Sequence, residues 1–241
     1  EFAHDASIIQ TLVSEGFVTG ELKEGFPAEN IAKDDNFISL LYYFGMVTIG
    51  GFYRGKPKFV IPNEVVREQV YTYLLDNYHE NHLETDSYRL GQLEENMAYD
   101  GDFKPFFQFI ADSIHTYASQ RDRQKGEAFV HGYTLALTSQ CRYYRPISEL
   151  DNQGGYADVF LCPRYEVFAD MEHSYIIELK YLKSKATDAE VQAAVKEAEA
   201  QVCRYADTLN VNERIGHTQL HKVVVVYRGV EMEKCFSVHS S

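Results

Sequence analysis

Residues Ser174-Tyr175-Ile176-Ile177-Glu178-Leu179-Lys180 form an apolar run interrupted by a Glu-x-Lys pair. Side chains alternate faces along a strand, so Glu178 and Lys180 point one way and Ile177 and Leu179 the other. Upstream, Tyr156-Ala157-Asp158-Val159-Phe160-Leu161 reads as a second strand with one acid, Asp158. Two carboxylates from successive strands are hard oxygen ligands suited to Mg2+ or Mn2+. A cation between Asp158 and Glu178 can polarise a phosphodiester oxygen and lower the pKa of a bound water. Lys180 then sits beside that water as an orienting or charge-stabilising group. The carbonyl of Leu179, between the two functional side chains, is the natural further ligand. The competing explanation is an edge strand with a solvated Glu-Lys pair. Apolar Ile176 and Leu182 on the Glu178 face weigh against it.

Two further residues could join this group. Glu127 opens a helix, with His131 four residues later on the same face, and could help hold a metal or bind a second one. A first-turn Glu favoured by the helix dipole, beside a surface His, is the simpler explanation. On a later helix Gln201 lies in line with Ala194, Ala198 and Tyr205, where an amide could reach the Lys180 water or stand exposed. The run Gly50-x-x-x-x-Gly55-Lys56 imitates a phosphate-binding loop. Pro57 stands where a hydroxyl should meet magnesium, and a strand follows instead of a helix, so this segment reads as a hairpin.

The elements that must position these residues fall into two regions. Asp34 or Asp35 caps a helix through Phe37, Leu40, Leu41 and Phe44. Met46–Ile49 and Lys58–Ile61 read as strands about a Gly50-Gly51 turn, and Pro62-Asn63 opens a helix through Val66, Val70, Tyr73, Leu74 and Asn77. Helix, hairpin, helix is a winged-helix-like outline. Further helices are expected over Arg89–Met97 and Phe103–Ala118, and the charged break at Arg121–Gly126 is the expected domain boundary. Beyond it come a helix at Glu127–Ser139, a strand near Arg142–Ile147, the Asp158 strand ended by Pro163, and the Glu178 strand. Thr187-Asp188-Ala189-Glu190 then resembles a capping box opening a long helix to about Leu209. Val223–Tyr227 reads as a buried central strand and Glu233–Val238 as a closing one. Residues 121–241 are thus expected to form an α/β domain around a mixed sheet, and residues 1–120 a mainly helical region.

The 241-residue chain has a net charge of −13. Residues 1–120 hold 8 Lys and Arg against 19 Asp and Glu, whereas residues 121–241 hold 15 against 17. The acidity argues against general nucleic-acid binding, but it belongs to the first region and leaves a nuclease in the second open. It favours a protein-binding role for the winged-helix-like part. No apolar run reaches the roughly 18 residues needed to span a bilayer. Cys141, Cys162, Cys203 and Cys235 are widely spaced and show no Cys-x-x-Cys, as expected of reduced thiols in a cytoplasmic protein. The start at Glu1, without an initiator Met or a signal peptide, suggests a fragment of something longer.

Glu127, Gly155-x-x-Asp158, Glu178-Leu179-Lys180 and Gln201, in that order, resemble the PD-(D/E)XK nuclease superfamily. The resemblance is closer to the nuclease-like domain found C-terminal to predicted AAA-type ATPase domains in bacteria. It extends to the segments Ser39–Ile49 and Ile61-Pro62-Asn63-Glu64. It implies a restriction-endonuclease-like sheet flanked by helices, with Asp158 and Glu178 on Mg2+ or Mn2+ and Lys180 serving the hydrolytic water. Glu127 would assist, and Gln201 would position the water or Lys180. Relatives usually carry Gly-Arg-x-Asp where this chain has Gly155-Tyr156-Ala157-Asp158, so a basic residue that could meet phosphate is missing. The expectation is a metal-dependent nuclease acting on DNA, linked to an ATPase domain. The alternative is a non-catalytic module that keeps the nuclease fold for protein binding or ATPase regulation. A two-carboxylate glycosidase gives Lys180 no task, and the chain has no Trp to stack on a sugar.

Overall fold

The computed structural model describes residues 8–13, 15–25, 34–79, 86–117, 126–147, 150–152, 155–207 and 209–238. They fall into two compact units, Glu1–Tyr78 and His79–Ser241. In the first, a helical segment α1 (8–13) and strand β1 (Val18–Thr19) precede helix α2 (Asp34–Tyr43), strands β2 (Thr48–Tyr53) and β3 (Lys56–Val60), and helix α3 (Glu64–His79). The strands form an antiparallel sheet in the order β1-β3-β2. The hairpin turn is at Arg54-Gly55, both with positive φ, and not at Gly50-Gly51 as the dipeptide suggested. Gly51, at φ 131, instead takes up an irregularity in the β2–β3 register. The phosphate-loop look-alike is therefore a hairpin. In α3, Val70 is buried but Tyr73 is exposed, and the side chains of Leu74 and Asn77 lie outside the described residues.

The second unit contains helices α4 (Ser87–Asp100), α5 (Lys104–Tyr117), α6 (Glu127–Thr138), α7 (Asp188–Ala206) and α8 (Leu209–Asn212). Its strands are β4 (Tyr144–Ile147), β5 (Leu150–Asn152), β6 (Gly155–Ala157), β7 (Val159–Pro163), β8 (His173–Leu182), β9 (Gln219–Arg228) and β10 (Glu231–Ser237). Five of them make one mixed sheet in the order β10-β9-β8-β7-β4, and β5 pairs β6 separately. Only β8 and β9 run parallel. A parallel pair needs a long crossover, and α7 lies within it. The compact units divide at 78/79, whereas the charge pattern suggested 120/121. The reason is packing: α4 touches β8 and α5 touches β10, so both helices belong to the sheet. Residues 121–125 of the charged break lie outside the described residues.

β8 is central, with β9 on one side and β7 on the other. Its odd and even residues serve different layers. Tyr175 packs on the α4–α5 side, donating its hydroxyl to the Met97 carbonyl at 2.7 Å and meeting Phe103. Ile176 joins Phe160, Val224 and Val226 in a cluster with Val191, Ala198, Val202 and Tyr205 of α7. Glu178 and Lys180 share the parity of Ile176 and so face α7. Val223 to Val226 of β9 are fully buried, which explains their unbroken apolar run. Each such side chain contributes roughly 1.5–3 kcal/mol by burial. No helix among the described residues is long and apolar enough to cross a membrane.

α7 begins as its sequence indicates. The Thr187 N–H donates to Glu190 Oε2 at 2.7 Å, and the Glu190 N–H donates to Thr187 Oγ1 at 3.3 Å, a reciprocal capping box. This fixes the register in which Glu197, Gln201 and Tyr205 follow one another along the helix. Thr187→Ala should lower the unfolding free energy by about 1 kcal/mol, read from urea denaturation.

Candidate functional site

Asp158 is not inside a continuous strand. The expected Tyr156–Leu161 run is split, β6 ending at Ala157 and β7 starting at Val159, with Asp158 at the bend between them. The β7–β8 ladder ends at Val159↔Ile177, and one more step of that register sets Asp158 opposite Glu178. Directly opposite residues share a face. Beyond the ladder's end β8 has backbone groups that still need partners. Asp158 Oδ2 meets one of them, accepting from the Leu179 N–H at 2.7 Å. A strand residue sends its N–H and C=O to the same edge, so the Leu179 carbonyl also faces the Asp158 side. His131 of α6 donates from Nε2 to the Asp158 carbonyl at 3.1 Å, holding the bend from the other layer.

Glu178 is 3% exposed, which rules out the solvated-edge explanation. Its Oε1 lies 3.0 Å from Lys180 Nζ, while Oε2 is buried without a hydrogen-bond partner. Lys180 Nζ also lies 3.4 Å from Glu197 Oε1 on α7. Gln201, one helical turn beyond Glu197, has a buried Oε1 that likewise lacks a partner. Tyr205, one turn further, is buried. β8 and α7 thus each carry one unmet buried acceptor, and each such acceptor is costly to leave unpaired. The acceptor oxygens and the Leu179 carbonyl are the hard donors that Mg2+ or Mn2+ takes. Among the described residues no group of three or more His, Cys, Asp and Glu could hold a metal ion.

The electrostatics follow from this burial. Burial raises the Glu178 pKa and the Asp158 charge raises it further, outweighing Lys180, so that it is pushed up to about 7. Burial also raises that of Asp158, against the lowering effects of His131, the Leu179 N–H and Lys180. For Lys180, burial favours the neutral amine, but Glu178, Glu197 and Asp158 together override it and hold the ammonium form. Burial, then the Glu178 charge, raises Tyr205.

Asp158, Glu178, Leu179 and Lys180 therefore come together as their spacing suggested, and Gln201 lies on the helix that faces them. Glu127 is exposed on the first turn of α6, with no hydrogen bond or ion pair to Asp158, Glu178 or Lys180 among the described residues. His131, expected at the surface beside it, is the buried member of that pair. Sequence reasoning set Tyr205 in line with Gln201 without a role and gave no place to Glu197. Their signal was the four-residue spacing 197, 201, 205 along one helix stripe.

Residues 125–237, slightly under half of the chain, match the family model of the PD-(D/E)XK nuclease superfamily. That match suggests nuclease activity for the region containing the site. No curated protein and no solved structure gives a significant match to the chain.

The raised Glu178 pKa has a stability consequence of definite sign. Between 4.5 and about 7 the folded state keeps a proton that the unfolded state has lost. Stability therefore falls as pH rises through that window. Glu178→Gln removes the titration, so its stability relative to the unmodified chain should rise from pH 4.5 to 7, checked by urea denaturation across that range.

Proposed function

We propose that the second unit is a metal-dependent phosphodiesterase acting on nucleic acid, with DNA as the substrate. One observation carries the reading: the buried Glu178 Oε2, unpaired, opposite the bend at which Asp158 caps the Leu179 N–H. The match of residues 125–237 to a nuclease superfamily supports it.

In this reading each carboxylate uses one oxygen for the scaffold and offers the other. Asp158 keeps Oδ2 on the Leu179 N–H and presents Oδ1. Glu178 keeps Oε1 on Lys180 and presents Oε2. These oxygens and the Leu179 carbonyl would hold Mg2+ or Mn2+. When bound, the ion supplies Lewis-acid polarisation of a phosphoryl oxygen and acidifies a water. Lys180 stays protonated through its acidic neighbours, so it acts as a fixed positive charge that orients the nucleophile and stabilises developing negative charge, and not as a base. Glu197 tethers Lys180 from α7, and the Gln201 amide is the second group on that helix to position the water. Glu127, exposed on the first turn of α6, would be the assisting acid that the resemblance implies.

The helix–hairpin–helix order of the first unit fits a winged-helix-like module. The Ser39–Ile49 and Ile61–Glu64 segments support a place for the chain in an ATPase-linked protein. The second reading is a non-catalytic nuclease-fold module that binds a protein or regulates the ATPase. Tyr156-Ala157 in place of a basic residue favours it, because neither side chain carries a charge to meet phosphate. Such a module has no reason to hold a divalent ion tightly, and calorimetric titration with Mn2+ separates the two.

Purified protein should cleave DNA with Mg2+ or Mn2+ and not with chelator. Asp158→Ala should abolish cleavage, and Lys180→Ala should slow it by about a hundredfold or more. Cleavage by both variants at the unmodified rate overturns the assignment.

A further inference from the structure

The sheet of the first unit has a face that alternates aromatic rings with cations. The registers Tyr53↔Lys56, Gly51↔Lys58 and Thr19↔Lys58 place Tyr53, Lys56 and Lys58 on one side. Phe59 turns to the other side, into the core, and is fully buried. Phe17, just before β1 and half-buried, borders this face, with its ring centroid 5.6 Å from that of Tyr53. Lys58 Nζ lies 4.1 Å from the Phe17 centroid, and the Arg54 guanidinium carbon 5.2 Å from that of Tyr53. Tyr53 is 46% exposed, and Arg54 and Lys56 are exposed beside it.

Two further observations set this face apart. Arg54, at φ 50, is the one non-glycine residue with positive φ among the described residues. A two-residue hairpin turn with positive φ at both central positions, as at Arg54-Gly55, favours Asn, Asp or Gly there. An arginine in that conformation costs on the order of 1 kcal/mol, and strain held at a surface turn points to a use for the side chain. The second is charge. Residues 36–63 contain Arg54, Lys56 and Lys58 and no acid, in a chain of net charge −13. The acidity that argues against nucleic-acid binding elsewhere is absent from this hairpin.

We propose that this face binds single-stranded nucleic acid, with phosphates against Arg54, Lys56 and Lys58 and bases stacked on Tyr53 and Phe17. The ligand must alternate anions with flat π-faces, as the protein alternates cations with rings. A single strand does so, whereas a duplex hides its base faces and an acidic peptide offers charge alone. DNA and RNA share the groups that this face reads. The site is independent of hydrolysis in the second unit.

Fluorescence anisotropy of the full chain with labelled oligo-dT, in chelator, tests the proposal. Tyr53→Ala should weaken binding about tenfold, while Tyr53→Phe retains it. Arg54→Glu with Lys56→Glu should flatten the dependence of log K on log salt by about 0.7 for each phosphate no longer neutralised. These side chains are exposed, so circular dichroism of the variants should match that of the unmodified chain. Oligo-rU binding as well as oligo-dT supports the proposal. Equal binding by all variants, equal binding of a duplex, or displacement of the oligonucleotide by polyglutamate overturns it.

Discussion

The hydrogen bond from the Leu179 N–H to Asp158 Oδ2 is the constraint on which the candidate site depends. β8 outruns its partner β7, and a central strand cannot leave backbone donors unmet in the interior. A carboxylate does what the next residue of a ladder would have done, and a bond to a charged acceptor is about twice as strong as one between neutral groups. The bend that frees Asp158 from the strand lets its side chain turn back to β8, and His131 holds its carbonyl from the opposite layer. The acid is thereby fixed across from Glu178 through one of its two oxygens.

From this follows the electrostatic character of the site. Burial raises the proton affinity of both acids, the Asp158 charge raises that of Glu178 further, and Lys180 compensates only in part. Lys180 itself is shared between Glu178 and Glu197, which ties the sheet to α7 through one ammonium group. Glu178 Oε2 and Gln201 Oε1 are two of the five buried side-chain atoms without a hydrogen-bond partner among the described residues, with Gln10 Nε2, Arg164 Nε and Ser174 Oγ, and these two lie on facing elements. Such departures from full pairing gather where a scaffold is shaped for a ligand rather than for its own stability.

The two units use opposite chemistry. In the second, carboxylates are buried and an oxygen-seeking cation is the natural complement. In the first, cations and rings are exposed and a polyanion with flat faces is the complement. The formal charge of the whole chain conceals both, because it averages an acid-free hairpin with acidic helices.

Much of the second unit was legible in the sequence wherever local periodicity or capping chemistry decides the outcome. The unbroken Val223–Val226 run, the Thr187–Glu190 box, and the alternation of Glu178 and Lys180 with Ile177 and Leu179 each found their element. Turn position was less legible: Gly50-Gly51 carries turn composition, yet the ladder closes at Arg54-Gly55, because the partner strand sets register and not glycine alone. The bend at Asp158 was hidden for a similar reason, since a hydrophobic run does not show where its neighbour stops pairing. The sequence by itself determined which side chains of β8 share a face, because strand geometry repeats every two residues. Only the tertiary structure decided that Asp158 meets that face, and that Glu197 reaches Lys180. Those outcomes depend on where separate strands and helices are brought side by side, and no local pattern encodes that distance.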